Sequence, residues 1–467
     1  MHLLCIFIHF KKQFVCKKKS SISFPILHHN AAGIDVGSRS HYVAIGQGKD
    51  DVKEFGVYNE DLLALVQHLL DNDITHVCME STGTYWQSLF STIQDAGLTV
   101  ELCNGRYTKN PNGKKTDVQD CQHIQKLYSL GMLQSSFLPD IITEQLRTYT
   151  RHRLKLIEQE ADSVRKIQKY LRLLNVRLDV VIKDVTGLTG MAIIEAICKG
   201  ETNPQVLASF RNANCKKSVE EFVKALQSNK RPDYLFCLQK ELALYKTYRT
   251  QITDCDTAIN KLVEEEINKD ENKKTLKTDA KPHKRVNKNA PKNMDINQMA
   301  YQYFGGVDLM KIEGVSHATV LAIMSEVGLE GFKKFKTAKE FVSWLHLSPN
   351  TKITGGKVIS SHVPKGGNRL KIALRNAANV IGNLKDTHLS DFFRRILYKS
   401  DRITAISATA RKLGVIIFNM ITKKEEYKPP TEYLLLDQKR KLGLVKRIRK
   451  QIHKFDLTTE DLGLATT

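Results

Sequence analysis

The 467-residue sequence predicts an α/β N-terminal domain, then a helical, coiled-coil-like segment, then a mainly α C-terminal domain. Three observations carry this. From Ala31, short apolar runs broken by Gly, Ser and Asp give way to alternating helix-period and strand-like stretches. Between residues 143 and about 178, Ile157, Val164 and Leu171 recur seven apart, as do Ile167 and Leu174. Beyond residue 298 the pattern is mostly helical.

The runs AAGIDVG, HYVAIG and VKEFGV predict three consecutive strands with tight turns. Residues 60–71 (EDLLALVQHLLD) have helical periodicity, ITHVCMES is a buried strand, TYWQSLFSTIQDAG is a helix ending at Gly97, and LTVELCN is another strand. Three strands followed by alternating helix and strand describe an α/β layer of ribonuclease H type, expected over residues 31–140. A further helix follows NPNGKK and runs through TDVQDCQHIQKLYSLG.

Residues 141–270 are expected to be helical or coiled coil. Glu160 interrupts the seam, so a core helix of a bundle fits as well, and a helix from about Lys240 to Asn268 would be its antiparallel partner. Residues 271–297 predict a basic linker, with eight Lys and Arg and two prolines by residue 293 and almost no apolar side chains. The C-terminal domain is expected over 298–423 and a basic tail over 424–467.

The chain carries 72 Lys and Arg against 50 Asp and Glu, a formal +22, so an anionic partner is indicated, nucleic acid first. The charge is uneven: residues 31–140 hold eight basic and fourteen acidic side chains. Nine scattered cysteines without a Cys-x-x-Cys pair indicate reduced thiols in a cytoplasmic protein. No apolar run approaches the roughly 20 residues that span a bilayer, which predicts no membrane segment. In MHLLCIFIHF the lysines follow the apolar stretch, the wrong polarity for a signal peptide. Residues 1–30 are expected to be an extension, disordered or loosely docked.

Four carboxylates stand out. Asp35 lies in GIDVG at the end of the first strand, and Glu80 ends ITHVCME; ligand sites in such sheets cluster at the carboxyl ends of strands. Asp117 and Asp120, three apart on a helix, share one face. Carboxylates without Cys or His suit a hard cation such as Mg2+ (or Mn2+), and two such ions can hold the attacking and leaving oxygens of a phosphodiester displacement. Singly, each residue is equally a turn former or a helix cap. His123, within DVQDCQHI, is expected to pack locally.

The motifs GIDVG, MESTGTYW and KTDVQDCQHI, in this order and spacing, resemble the RuvC-like DEDD domain of a family of insertion-sequence transposases understood as bridge-RNA-guided recombinases. The resemblance extends from about Ala31 to the C-terminal helical region. It implies that Asp35, Glu80, Asp117 and Asp120 are the metal ligands, that DNA is the substrate, that an element-encoded RNA is the guide, and that the protein forms a homo-oligomer, dimer or tetramer. It also implies a bacterial or archaeal, nucleoid-associated setting.

In the C-terminal half, DLMKIEGVSHATVLAIMSEVG (308–328) reads as helix, glycine turn and helix, with Val315, Ala318, Val320, Leu321, Ile323 and Met324 facing a partner. It resembles a helix-hairpin-helix and is equally an ordinary helical hairpin. In TKITGGKVISSHVPKGGNRLKIALRNAA, the cations Lys357, Lys365, Arg369, Lys371 and Arg375 are expected to contact phosphates. This stretch resembles the same family's C-terminal transposase domain, in which a serine immediately before glycine forms a covalent bond to DNA. Here that position is Thr354, a departure.

Threonine offers the same hydroxyl on a crowded, stiff side chain. Three outcomes stay open: Thr354 attacks, Ser360 or Ser361 replaces it, or this copy is impaired. The expected function is metal-assisted, RNA-guided DNA cleavage and strand exchange, with a site assembled between domains or protomers. The alternatives are a metal-dependent nuclease or Holliday-junction resolvase using water, and a degenerate copy that only binds nucleic acid.

Overall fold

The computed structural model describes residues 25–81, 83–108, 116–279, 288–292, 294–429 and 432–456. The chain divides into two compact units, residues 1–138 and 139–467.

The first unit holds β1 (Ala31–Val36), β2 (His41–Ala44), β3 (Val52–Phe55), α1 (Asn59–Asp71), β4 (His76–Glu80), α2 (Trp86–Asp95), β5 (Thr99–Cys103), α3 (Gly105–Thr108) and α4 (Asp117–Ser129). The sheet order is β3-β2-β1-β4-β5, antiparallel through the first three strands and parallel from β1 to β4 to β5. This is the ribonuclease H-type α/β layer that the three-strand opening predicts.

Alternation along the strands sorts the two faces. Ala32, Ile34 and Val36 of β1 and Val77 and Met79 of β4 are buried in one core with Leu62, Leu65 and Leu69 of α1 and Leu89 and Ile93 of α2. On the opposite face Ala31, Cys78 and Cys103 pack with Ile124 and Tyr128 of α4. The expected extension is ordered at its end: Leu27 N–H donates to the Ser129 carbonyl, His28 stacks on Tyr128 at 4.7 Å, and the Asn30 carbonyl accepts from Thr75 and His76. Residues 1–24 lie outside the described residues.

The second unit begins with α5 (Ile141–Leu173), then α6 (Leu178–Val181), α7 (Leu188–Cys198), α8 (Pro204–Ser209), α9 (Val219–Ala225), α10 (Pro232–Asn268) and α11 (Glu271–Lys274). α5 and α10 form an antiparallel pair, because successive partners run in opposite directions: Arg153 with Asp256, Glu160 with Arg249 at 3.3 Å, Lys166 with Glu241 at 3.1 Å. Glu160, which interrupts the apolar seam, is buried and satisfied by that arginine. Ile167 and Leu171 join Leu238, Leu242, Phe222 and Ile193 in a core that closes the far end of the pair.

The expected basic linker is tied down where it is described. The Asn289 carbonyl accepts from Arg153, Lys292 N–H donates to Asp256, and Lys288 pairs with Asp184. Residues 280–287 lie outside the described residues.

The remainder comprises α12 (Ile296–Tyr303), a short 3-10 turn (Leu309–Lys311), α13 (His317–Glu326), α14 (Gly328–Lys333), α15 (Ala338–Trp344), β6 (Asn350–Thr354), β7 (Lys357–His362), α16 (Arg369–Ile381), α17 (His388–Lys399), α18 (Arg402–Lys423) and α19 (Glu432–Lys454). The predicted first helix of the helix-turn-helix pattern at 308–328 is only that 3-10 turn. Val315, Val320, Leu321, Ile323 and Met324 are buried as expected, whereas Ala318 is exposed. α18 is long and apolar enough to cross a membrane, yet Ala405, Leu413 and Ile417 are fully buried and the helix packs against α15, α16 and α17, as the core helix of a bundle does. The expected basic tail contains a helix, α19.

Candidate functional site

The parallel register Ile34–Met79 makes Asp35 and Glu80 the next residues of neighbouring strands, both at carboxyl ends. Their side-chain parity matches that of Gly33 and Cys78, so both belong to the face covered by α4. α4 reaches that face because residue 33 is glycine: a Cβ there would lie 2.2 Å from the Gln125 nitrogen and 2.5 Å from the Cys121 carbonyl oxygen. Thr116 caps the helix by accepting from Gln119 N–H, which puts Asp117 and Asp120 in its first turn, where helix N-terminal amides favour anions.

The electrostatics tie these stretches together. Burial pushes the Cys121 thiol up to about 12, and the charges of Asp35 and Asp120 push in the same direction. The Tyr42 hydroxyl, on the residue paired across from Asp35, is raised first by its hydrogen bond to Glu54 and then by burial and the charges of Glu54 and Asp117. Asp35 and Asp120 therefore act on one buried sulfur, and Asp117 acts on the neighbouring tyrosine.

Glu80 is held separately. The Thr108 hydroxyl donates to its Oε2 at 2.6 Å, and a Cβ on Gly105 would lie 2.2 Å from its Oε1. Among the described residues no three of His, Cys, Asp and Glu stand close enough to hold a metal ion. By strand parity and by the first turn of the helix that covers it, the four carboxylates belong to one face of the sheet, without being closed into a cage. Their chemistry, carboxylate oxygens as the donors, suits a hard cation. Glu54, Tyr42 and Thr108 were missed by sequence reasoning; only Glu54 left a signal, as the polar alternate of the strand VKEF.

In the second unit, Thr354 ends β6 of an exposed hairpin and pairs with Lys357 across Gly355 and Gly356. Both glycines have positive φ, +55° and +73°, the signature of a type I′ turn. Ser361 lies 3.2 Å from the Thr351 hydroxyl, while Ser360 is half-buried opposite Lys352. Ile359 is the extra residue of a bulge, since Ile353 pairs with Val358 and Lys352 with Ser360.

The five cations expected at phosphates divide. Lys357, Lys365 and Arg369 are exposed. Lys371 is buried and donates to the Pro364 carbonyl at 2.8 Å, its ammonium pushed down by burial and by Arg375. Arg375 donates to the Ser407 hydroxyl at 2.6 Å. Lys371 ties the start of α16 to the preceding loop and Arg375 ties the middle of the helix to α18, so neither stands free for a backbone phosphate; helical spacing puts them on one face but does not say which face is buried.

A RuvC-like sheet with carboxylates at its strand ends, joined to a helical second unit, defines a DNA-processing enzyme. Two transposase family models match the chain in order: the DEDD transposase model of the IS110 type over residues 32–176, and the transposase IS116/IS110/IS902 family over residues 308–394. The chain is an IS110-family DEDD transposase. The first match contains Asp35, Glu80, Asp117 and Asp120; the second contains Thr354 and all five cations. No individually curated protein matches the chain.

Proposed function

We propose that this transposase cleaves and rejoins DNA strands through a covalent protein–DNA intermediate, with Asp35, Glu80, Asp117 and Asp120 as ligands for Mg2+ or Mn2+. The observation that carries the reading is the meeting of two strand ends, bearing Asp35 and Glu80, with the first turn of α4, bearing Asp117 and Asp120, on one face of the sheet. A divalent cation held there would polarise phosphate oxygens and stabilise the charge of the displacement.

Thr354 supplies the nucleophile. Its hydroxyl oxygen bonds to phosphorus as its proton is lost to a base, and the bond from phosphorus to a sugar oxygen breaks, that oxygen leaving protonated. Exposure at the tip of a hairpin suits a hydroxyl that must reach a strand. Lys357, Lys365 and Arg369 are the cations left to hold the phosphates. An element-encoded guide RNA and a dimeric or tetrameric assembly are carried over from the family resemblance; the net charge of +22 supports only an anionic partner.

The test is to incubate the full chain with Mg2+, RNA and end-labelled DNA and to look for a denaturation-resistant protein–DNA species. Thr354→Ser keeps or raises its yield and Thr354→Ala abolishes it. Metal-dependent cleavage with no linked species would replace this reading with a nuclease that uses water.

A further inference from the structure

A cavity of about 500 Å³ lies in the second unit, away from the hairpin residues, where the end of α12, α14, the turn into α15 and the end of α18 meet. Its inner wall is aromatic. Phe332 and Phe418 are buried behind it with ring centroids 6.2 Å apart, and Phe335 stands half-buried at the opening, its ring 5.4 Å from both Phe341 and Trp344. Those contacts hold the ring in place.

The rim is cationic: Lys333, Lys336, Lys423 and Lys424 line the same cavity. Lys333 is paired with Glu330 at 2.6 Å; Lys336, Lys423 and Lys424 form no ion pair among the described residues. Lys423 and Lys424 end α18, where a cation complements the helix dipole, so their presence alone has a simple explanation. Lys336 lies between two helix ends of opposite sign, two residues past the C-cap of α14, Lys334, and one before the N-cap of α15, Thr337, so the dipoles do not by themselves account for it. An immobilised aromatic face with unpaired ammonium groups from two chain segments around it matches one chemistry: a flat base carrying phosphates.

We propose that this cavity takes an unpaired nucleotide of a nucleic-acid strand, with its base against Phe335 and its flanking phosphates on Lys336, Lys423 and Lys424. The base must be unpaired, because a base stacked within a duplex offers no free face to the ring. The proposal rests on the transposase reading for the supply of single strands, but its test reads binding and needs no cleavage.

The experiment titrates the full chain into a single-stranded oligonucleotide containing 2-aminopurine, with the matching duplex as control. Wild type quenches the single-strand fluorescence. Phe335→Leu, which keeps an apolar side chain, lowers single-strand affinity about tenfold and removes the quench, with duplex affinity unchanged. The triple variant Lys336→Gln, Lys423→Gln, Lys424→Gln lowers the salt slope of single-strand binding by about two, and it leaves the aromatic wall intact should Phe335→Leu disturb folding. Single-strand affinity within twofold of wild type in both variants overturns the proposal, as does an equal loss on duplex. Loss of DNA cleavage in Asp35→Asn with this quench preserved leaves the pocket standing; cleavage that persists in Asp35→Asn sinks the catalytic reading alone.

Discussion

Thr108 and Glu80, brought together from 28 residues apart, share a hydrogen bond of 2.6 Å that engages one carboxylate oxygen, Oε2, while Gly105 leaves room for the other. A carboxylate braced on one oxygen is fixed in orientation, as outer partners of metal ligands commonly arrange. Thr108→Val removes the donor with little change of shape, and Gly105→Ala fills the space. Each should raise the Mg2+ concentration for half-maximal DNA cleavage by about tenfold. An unchanged Mg2+ dependence in both would remove Glu80 from the ligand set.

Gly33 sets how closely α4 lies on β1. In Gly33→Ala the new methyl meets the backbone of α4 at Gln125 and Cys121, so the helix must lift. The expected cost is about 3 kcal/mol, the upper end of overpacking penalties, together with loss of cleavage. Thermal unfolding checks this; a melting temperature equal to wild type would show that α4 is not held at that distance.

Arg153 and Asp256 form an ion pair buried between α5 and α10. Breaking it by Arg153→Met leaves Asp256 buried and charged, at a cost of about 3–5 kcal/mol. The double variant Arg153→Met, Asp256→Leu should cost less than the single one, although Lys292 N–H then loses its acceptor. Denaturant unfolding of the variants decides it, and additive losses would contradict the coupling.

His41, on β2, is buried, and burial pushes its pKa below 6.5. The unfolded chain therefore binds more protons than the fold as pH falls below 6.5 and until the lowered folded value is passed. Stability is lost across that window and is fully present above 6.5. His68 and His388 are shifted in the same direction, so the contribution of His41 is the difference between wild type and His41→Phe. Melting temperatures from pH 7.5 to 5 should fall more steeply in wild type; parallel curves would show that His41 is not held neutral.

The parts of the fold legible in the sequence are those written in local periodicity. Turn-separated apolar runs gave the sheet, and the seven-residue seam with its later partner gave α5 and α10. Glu160 looked like a flaw because its partner, Arg249, lies 89 residues away. The hairpin of Thr354 has a local signal of its own, Gly355-Gly356 between the short stretches NTKIT and KVIS, which is turn chemistry. Of the site, residue types and order pointed to Asp35, Glu80, Asp117 and Asp120. Thr108, Tyr42 and Glu54 depend on strand register and on which face α4 covers, and Lys371 and Arg375 depend on which side of α16 is buried; neither is encoded in spacing.

Asp35, Glu80, Asp117 and Asp120 are expected to bind one kind of ion jointly. Titrating the full chain with Mn2+ under electron paramagnetic resonance, alongside Asp35→Asn and Asp120→Asn, measures this without any DNA chemistry. The expected result is saturable Mn2+ binding in wild type, weakened at least about tenfold in each variant at unchanged melting temperature. Equal Mn2+ binding in all three proteins would contradict it.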